Sequence, residues 1–534
     1  MTKEHVDTAD RQNADGVVTN GSEMALQSTN GKAGGVGPES SESNGTQSSD
    51  ENASGVYVPQ PKALSNNENG VDADETDGEL LERMRADAVG ETMYSKKYIL
   101  QTLMKLSQQP AETGLGLELE DDLCKVWDMS VAPEVVSLLL ENDAIELIMF
   151  AISSSDDVRL YEILIGLLGN MCAKLQCVEQ LTAHPEWVEM LLKLTTCMDT
   201  CMLLQLMRVY QYVMAHVVSG KEQLGIDWYI CFAAFDGSAR NLGFILQQSV
   251  SDELLLAALK AINSVLASCA LVEEENARTD LKLRPFADVF LVPELCDGVN
   301  NAFIRLMRDD LAKQADEIDA ETGAQITADT ELDDDDCGED LNVPKISCDV
   351  EVIQTYLNIC TILVQLPEAQ TSMNLYVSSI MFCLTRILQF LQQPMQLIPM
   401  GERQEEYLED LAHICSCLKY YYNSATFINL LAVWVSLKLH INNYVDLDEH
   451  DFEAFDDEPL SQYEENAFKV LRLLAHMLIK ADAAVILSDI KGIDALQVNM
   501  FRAALQAEQE EDVVLQKALE RLHVVFNELN GQAK

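Results

Sequence analysis

Positive charge is what this chain has least of. It carries 36 lysines and arginines against 88 aspartates and glutamates, for a formal net charge of −52 at pH 7. A field of that sign offers no counter-charge to phosphates, which argues against direct binding of DNA, RNA or anionic lipid. Long apolar runs are also missing. The nearest approach, Ala425–Leu439, is short and ends at Lys438 and His440, so it reads as a buried helix and not as a membrane span. No basic and then apolar leader follows Met1, and no export signal is expected. The 14 cysteines show no spaced framework, so they are expected to be reduced thiols in the cytosol or nucleus. There is no G-x-S-x-G, no phosphate-cradling glycine loop and no HExxH, so neither an enzyme nor a cofactor is expected.

Aliphatic residues are plentiful: the chain is 48% hydrophobic and only 6% aromatic, so a large core must be built mainly of Leu, Ile, Val, Met and Ala. Few segments alternate with period two, and the class read from this is all-α. The apolar pattern repeats. Residues Ile145–Ala173 lie without a gap over Trp187–Ala215 at an offset of 42 residues. Ile148 falls on Met190, Leu160 on Met202, Leu164 on Leu206, Met171 on Val213, and Asp157 on Asp199. Two apolar helices per unit at this period predict an armadillo or HEAT-like α-solenoid. Such a unit cannot bury its apolar face alone and must stack on a neighbour, which makes a long concave surface suited to binding.

Composition divides the chain. Residues 1–90 are rich in Gly, Ser, Asn, Asp and Glu and are expected to be a disordered acidic tail. Helical repeats are expected over 91–308, an acidic disordered insertion over 309–348, and further repeats over 349–534 ending in a cap. Asp309–Asn342 alone holds 14 carboxylates against one lysine, and a second acidic strip, Asp446–Glu458, holds eight carboxylates. Predicted helices include Glu118–Met129, Pro133–Glu141, Val350–Gln365, Val377–Gln392, Gln404–Tyr422 and Thr426–Leu439. The stretch Gly220–Asp236 looks like an extra segment between repeats.

Two local motifs are specific. The first is CKVWDMS, with Cys124, Trp127, Asp128, Met129 and Ser130; the second is GLLGNMC, with Gly169, Asn170 and Met171. At this separation, and with Tyr94, Ser95 and Lys96 at the head of the first helix, they resemble the serum amyloid A-like protein family. The resemblance covers roughly Tyr94–Cys201. It implies an armadillo-like, non-enzymatic, mainly nuclear protein that promotes cell proliferation.

The armadillo pattern puts an asparagine on the last helix of each repeat, where its amide can clasp a peptide backbone through a donor and an acceptor at once. Asn170 and Asn263 match that slot, and Tyr212 stands in it in the middle unit. Bracing of the fold is the alternative role for each amide. One turn earlier, where peptide-binding armadillo proteins have tryptophan, this chain has Gly166, Arg208 and Leu259. Trp127 is expected in the core, with a partner anchor as the alternative. Asp128 and Ser130 are expected to cap the next helix. His413, Cys415 and Cys417 cannot all face one way on a helix, so no metal site is expected. The partner is expected to be a protein in the concave groove, or else basic proteins held by Asp333–Asp336 and Asp446–Glu458.

Overall fold

The computed structural model describes residues 86–109, 114–279, 282–307, 350–366, 375–445, 460–509 and 512–532. The expected acidic tail up to residue 85, the insertion 309–348 and the strip 446–458 lie outside the described residues. Among those described there is no strand, only a single bridge pairing Ala88 with Ser95.

The order is helical throughout. It starts with α1 (Lys96–Ser107) and α2 (Leu117–Met129). Three triplets follow: α3 (Pro133–Glu141), α4 (Ala144–Ser154) and α5 (Val158–Met171); α6 (Leu175–Thr182), α7 (Pro185–Lys193) and α8 (Thr200–Val218); α9 (Glu222–Ala234), α10 (Ser238–Gln248) and α11 (Asp252–Thr279). A fourth consists of α12 (Phe286–Phe290), α13 (Pro293–Leu306) and α14 (Val350–Gln365). Two pairs come next, α15 (Val377–Leu391) with α16 (Glu402–Cys417) and α17 (Ser424–Val445) with α18 (Leu460–Lys480). The last triplet is α19 (Ala483–Gly492), α20 (Ala495–Glu508) and α21 (Val513–Gln532).

The complete repeat therefore has three helices, not two. The first of these additional helices, α3, has the expected bounds Pro133–Glu141; its counterpart α6 has only eight residues, too few turns for its apolar period to stand out. The apparent extra segment at 220–236 is α9, the first helix of the third repeat. Proline at the first turn of α3, α7 and α13 starts these helices where a missing N–H costs nothing. Asp157 and Asp199, paired by the 42-residue offset, are the N-caps of α5 and α8. Asp157 accepts from the Arg159 and Leu160 amides and Asp199 from that of Met202. Each such cap stabilises its helix by about 1 kcal/mol.

The third helices form one continuous row: α2, α5, α8, α11, α14, α16, α18 and α21 each pack on the next. The second helices α10, α13, α15, α17 and α20 form another. Between the rows runs a single apolar core reaching from Val89 to Val525. This stacking makes the molecule an armadillo-like α-solenoid. Two helices, over Asp252–Val272 and Ser424–Asn443, are long and apolar enough to cross a membrane by length and composition alone. About half of each is buried in the repeat packing.

The second-helix row has one very close crossing. A Cβ on Gly243 would lie 2.3 Å from the Glu294 carbonyl oxygen, and one on Gly298 would lie 2.7 Å from that of Gly243. Only glycine lets α10 and α13 meet backbone to backbone. Helix α16 stops short of the expected Tyr422, because Lys419 and Tyr420 both adopt left-handed backbone (φ 57° and 56°) and turn the chain away.

Candidate partner-binding surface

The two sequence motifs meet at the α2–α5 junction. The Trp127 indole lies directly over Gly166, where an added Cβ would be 2.3 Å from the ring. Trp127 is thus half-buried packing, and its ring covers the slot one turn before Asn170. Asn170 completes the junction. Its Nδ2 donates to the Trp127 carbonyl (3.2 Å) and to the Ser130 hydroxyl (2.9 Å), while its Oδ1 accepts from Arg208 Nη2 (2.8 Å). Both ends of this amide are engaged within the fold.

Ser130 donates to the Trp127 carbonyl, and the N-cap of α3 is Ala132 with no side-chain cap bond. The capping role expected of Asp128 and Ser130 is therefore replaced, for Ser130, by a part in this lock. Burial pushes the Asp128 carboxyl above its usual range. Cys124 lies 3.5 Å from Arg159 Nη2, and burial raises its thiol despite the guanidinium. Met129 packs on the core and Met171 is fully buried. Gly169 is ordinary in its surroundings, its nearest neighbour being a Val209 methyl 3.7 Å from an added Cβ.

The other two candidates lie on the same row of third helices. Tyr212 is half-buried on α8 and packs on the core. Asn263 is half-buried on α11, and its Oδ1 is shut off from solvent with no hydrogen-bond partner among the described residues. Asn170, Tyr212 and Asn263 thus stand on three successive members of the row, in different bonding states. Further carboxamides continue along it. Gln211 donates to the Ala257 carbonyl (3.3 Å), Gln354 to Asn358 (3.0 Å), and Gln365 lies 3.1 Å from His413 Nε2.

Charges on the row are mostly paired. Arg159 sits on Glu120 (2.8 Å) and Glu162 (2.5 Å), Lys260 on Glu351, Lys469 on Glu409 (2.7 Å), and Arg472 on Asp512 (2.7 Å). Arg208, half-buried, is different: Nη1 donates to Gln205 Oε1 (2.6 Å) and Nη2 to Asn170, both uncharged. The sequence shows Arg208 only as a residue out of pattern; a lone arginine on an apolar helix was the available signal.

Of the HICSC residues, His413 Nε2 and Cys417 Sγ are 3.5 Å apart, while Cys415 points into the core, its thiol pushed up to about 12 by burial. Among the described residues no group of three His, Cys, Asp or Glu side chains could hold a metal.

No family model matches the chain. Among curated relatives, Protein saal1 of Xenopus tropicalis is 32% identical over 183 residues, covering 32% of this chain and 38% of the relative. Protein saal1 of Danio rerio is 38% identical over 135 residues, covering 22% and 29%. Protein SAAL1 of Homo sapiens is 35% identical over 106 residues, covering 17% and 22%. The aligned stretches thus span less than half the length of these relatives. Among solved structures, the designed armadillo repeat protein YIII(Dq)4CqI is similar at a TM-score of 0.35 and 13% identity, covering 59% of this chain and 99% of that one. Uso1-2 is similar at 0.40 and 10% identity, covering 80% and 60%. The solenoid assignment rests on the stacked third helices and not on these distant likenesses.

Proposed function

We propose, taking as premise the relationship to the serum amyloid A-like proteins that these relatives establish over part of the chain, that this is a protein-interaction scaffold. Its row of third helices binds an extended segment of a partner protein. The observation that carries the reading is Asn263. Its carboxamide oxygen is buried without a partner on a surface helix row, a state that costs about 1–3 kcal/mol unless something completes it. A turn of this half-buried side chain would offer the oxygen to a backbone N–H of an extended peptide, the simplest group that would complete it. Tyr212, with a rigid ring and a polar tip on the preceding helix of the row, suits an anchoring contact. The reading is of a binding protein, with no chemical step assigned to it.

The test is selection of a displayed library of random peptides on the full chain. It is followed by affinity measurements on Tyr212→Ala combined with Asn263→Ala. Loss of the selected peptides by a variant that melts normally supports the row as the site. Undiminished affinity removes it. A nuclear location and a role in promoting cell proliferation belong to the same proposal. A tagged chain that stays out of the nucleus, or depletion that leaves growth rate unchanged, sinks those two parts.

A second reading has its own observation. From α2 to α16 every third helix carries a carboxylate at its cap or in its first turn, including Glu118, Asp157, Asp199, Asp252, Glu351 and Glu402. These complement the helix dipoles, and with the net charge of −52 they favour an adaptor for basic proteins. Binding of protamine that is abolished by moderate salt is the expected mark of that role.

A further inference from the structure

Arg208 is a half-buried cation with no ion-pair partner among the described residues, in a chain with 88 carboxylates. Four other cations on the row, Arg159, Lys260, Lys469 and Arg472, each lie on an acid. Arg208 is gripped instead by two neutral carboxamides, those of Gln205 and Asn170. Amide oxygens fix the plane of a guanidinium but leave its full charge unneutralised. Two of its five donors are used in this way. Its Nε has no partner among the described residues and is not shut off from solvent, so at least that edge of the fork reaches the surface. A planar fork held in one orientation, partly withdrawn from water and lacking a counter-ion, is suited to bidentate capture of an anion. An arginine that merely lays its stem along apolar surface needs no such grip on its head.

The neighbourhood fits a peptide more than a free ion. Asn170, which holds Arg208, also bonds the backbone carbonyl of Trp127, whose ring lies over Gly166 one turn back on α5. Tyr212 is four residues beyond Arg208 and so shares its face of α8. Trp127 and Tyr212 thus lie on the same row as the cation, one on α2 and one a turn further along α8.

We infer that Arg208 is an anion seat: the extended partner segment bound along the third helices presents an acidic side chain, a carboxylate or a phosphate ester, to the guanidinium held by Gln205 and Asn170. This rests on the row being the binding site and narrows the partner to one with an acid at a fixed position. Asn170 acts here as a positioning residue for Arg208 and makes no direct contact with the partner.

The experiment selects a displayed library of random peptides separately on the full chain, on Arg208→Gln and on Arg208→Glu. A labelled winner is then titrated against each by fluorescence anisotropy. The expected result is that wild-type winners share an Asp or Glu. Arg208→Gln should weaken them about tenfold to a hundredfold. Replacing the peptide's acid by alanine should cost the wild type that factor and the variant almost nothing. Arg208→Glu should select a basic residue at the same peptide position. Winners with no shared acid, or an acid whose removal costs both proteins equally, overturn the seat. If such winners are still lost in the Tyr212→Ala and Asn263→Ala double variant, the row survives and only the seat fails. If they are indifferent to that variant, both fail. Should Arg208→Gln melt early, Arg208→Lys keeps the charge without the fork, and an intermediate loss is expected, with none counting against the proposal. Exchanging the peptide's acid for phosphoserine assigns the seat to phosphate if binding tightens and to carboxylate if it weakens.

Discussion

The first and third repeats solve the same joining problem by different means. In the first, the junction lies on the third helices and is made of side chains. Trp127 covers Gly166, and Asn170 ties the α2 backbone, Ser130 and Arg208 together. In the third, the tightest contact lies on the second helices and is made of backbone, with Gly243 of α10 against Gly298 of α13. The asparagine of its third helix is left out of the joint, and Asn263 Oδ1 has no partner. One residue type in one repeat slot is thus structural in one place and unoccupied in another. What decides its role is whether another part of the interface already holds the repeats together.

The largest effect is expected from attacking the backbone joint. Gly243→Leu must push α10 off α13, and about 3 kcal/mol of destabilisation is expected, read as an earlier urea midpoint. Gly169→Ala in the first repeat is the control. Its nearest neighbour stands 3.7 Å from the new methyl, so the midpoint should hold or rise slightly.

Next comes the side-chain joint. Asn170→Ala strips partners from the Trp127 carbonyl, the Ser130 hydroxyl and Arg208, and should destabilise by about 2 kcal/mol. Asn263→Ala should stabilise the fold by about 1 kcal/mol or more, since it removes an unsatisfied oxygen and adds a better helix former. It should nevertheless weaken peptide binding. Equal destabilisation by the two substitutions would erase the contrast.

The smallest effects concern pH, and two carboxylates should move oppositely. Asp157 is held below the usual carboxylate range, first by the Leu115 amide and then by those of Leu160 and Arg159. A depressed carboxylate contributes stability above its unfolded pKa and loses it as pH falls through the folded value. Asp157→Asn should therefore lower the melting temperature at pH 7 and flatten its decline in acid. Asp410 is raised, chiefly by burial and then by Glu406 and Glu409. Folding disfavours its charged form, so Asp410→Asn should raise the melting temperature at pH 7 and leave it unchanged below the carboxylate range. Melting curves at both pH values decide each case.

The repeat was legible because stacking imposes the same apolar spacing on α5 and α8, and the caps Asp157 and Asp199 register that alignment to the residue. Pro133–Glu141 and Val350–Gln365 were readable to their ends for similar reasons, a proline start in one and a sustained apolar face in the other. The first helices α6 and α12 were hidden because eight and five residues carry little periodicity. The end of α16 was hidden because two non-glycine residues take left-handed backbone there. Helices α13, α18 and α19 were not singled out in the sequence at all. The candidate slots Asn170, Tyr212 and Asn263 were legible as positions on one row. Which amide is engaged depends on Ser130 and Arg208, contacts 40 and 38 residues away in sequence, and no local pattern reports that.

The fourth repeat is interrupted between α13 and α14, yet both rows pass through it: α11 packs on α14, and α13 packs on α10 and α15. Cohesion across that point is therefore carried sideways by neighbouring helices and not by the thread of the chain. A peptide bond cut anywhere from 308 to 349 should leave two fragments that co-purify as one particle. New termini, or an inserted module, placed at that gap would leave both rows joined around it. In engineering terms, the molecule has a built-in splice point.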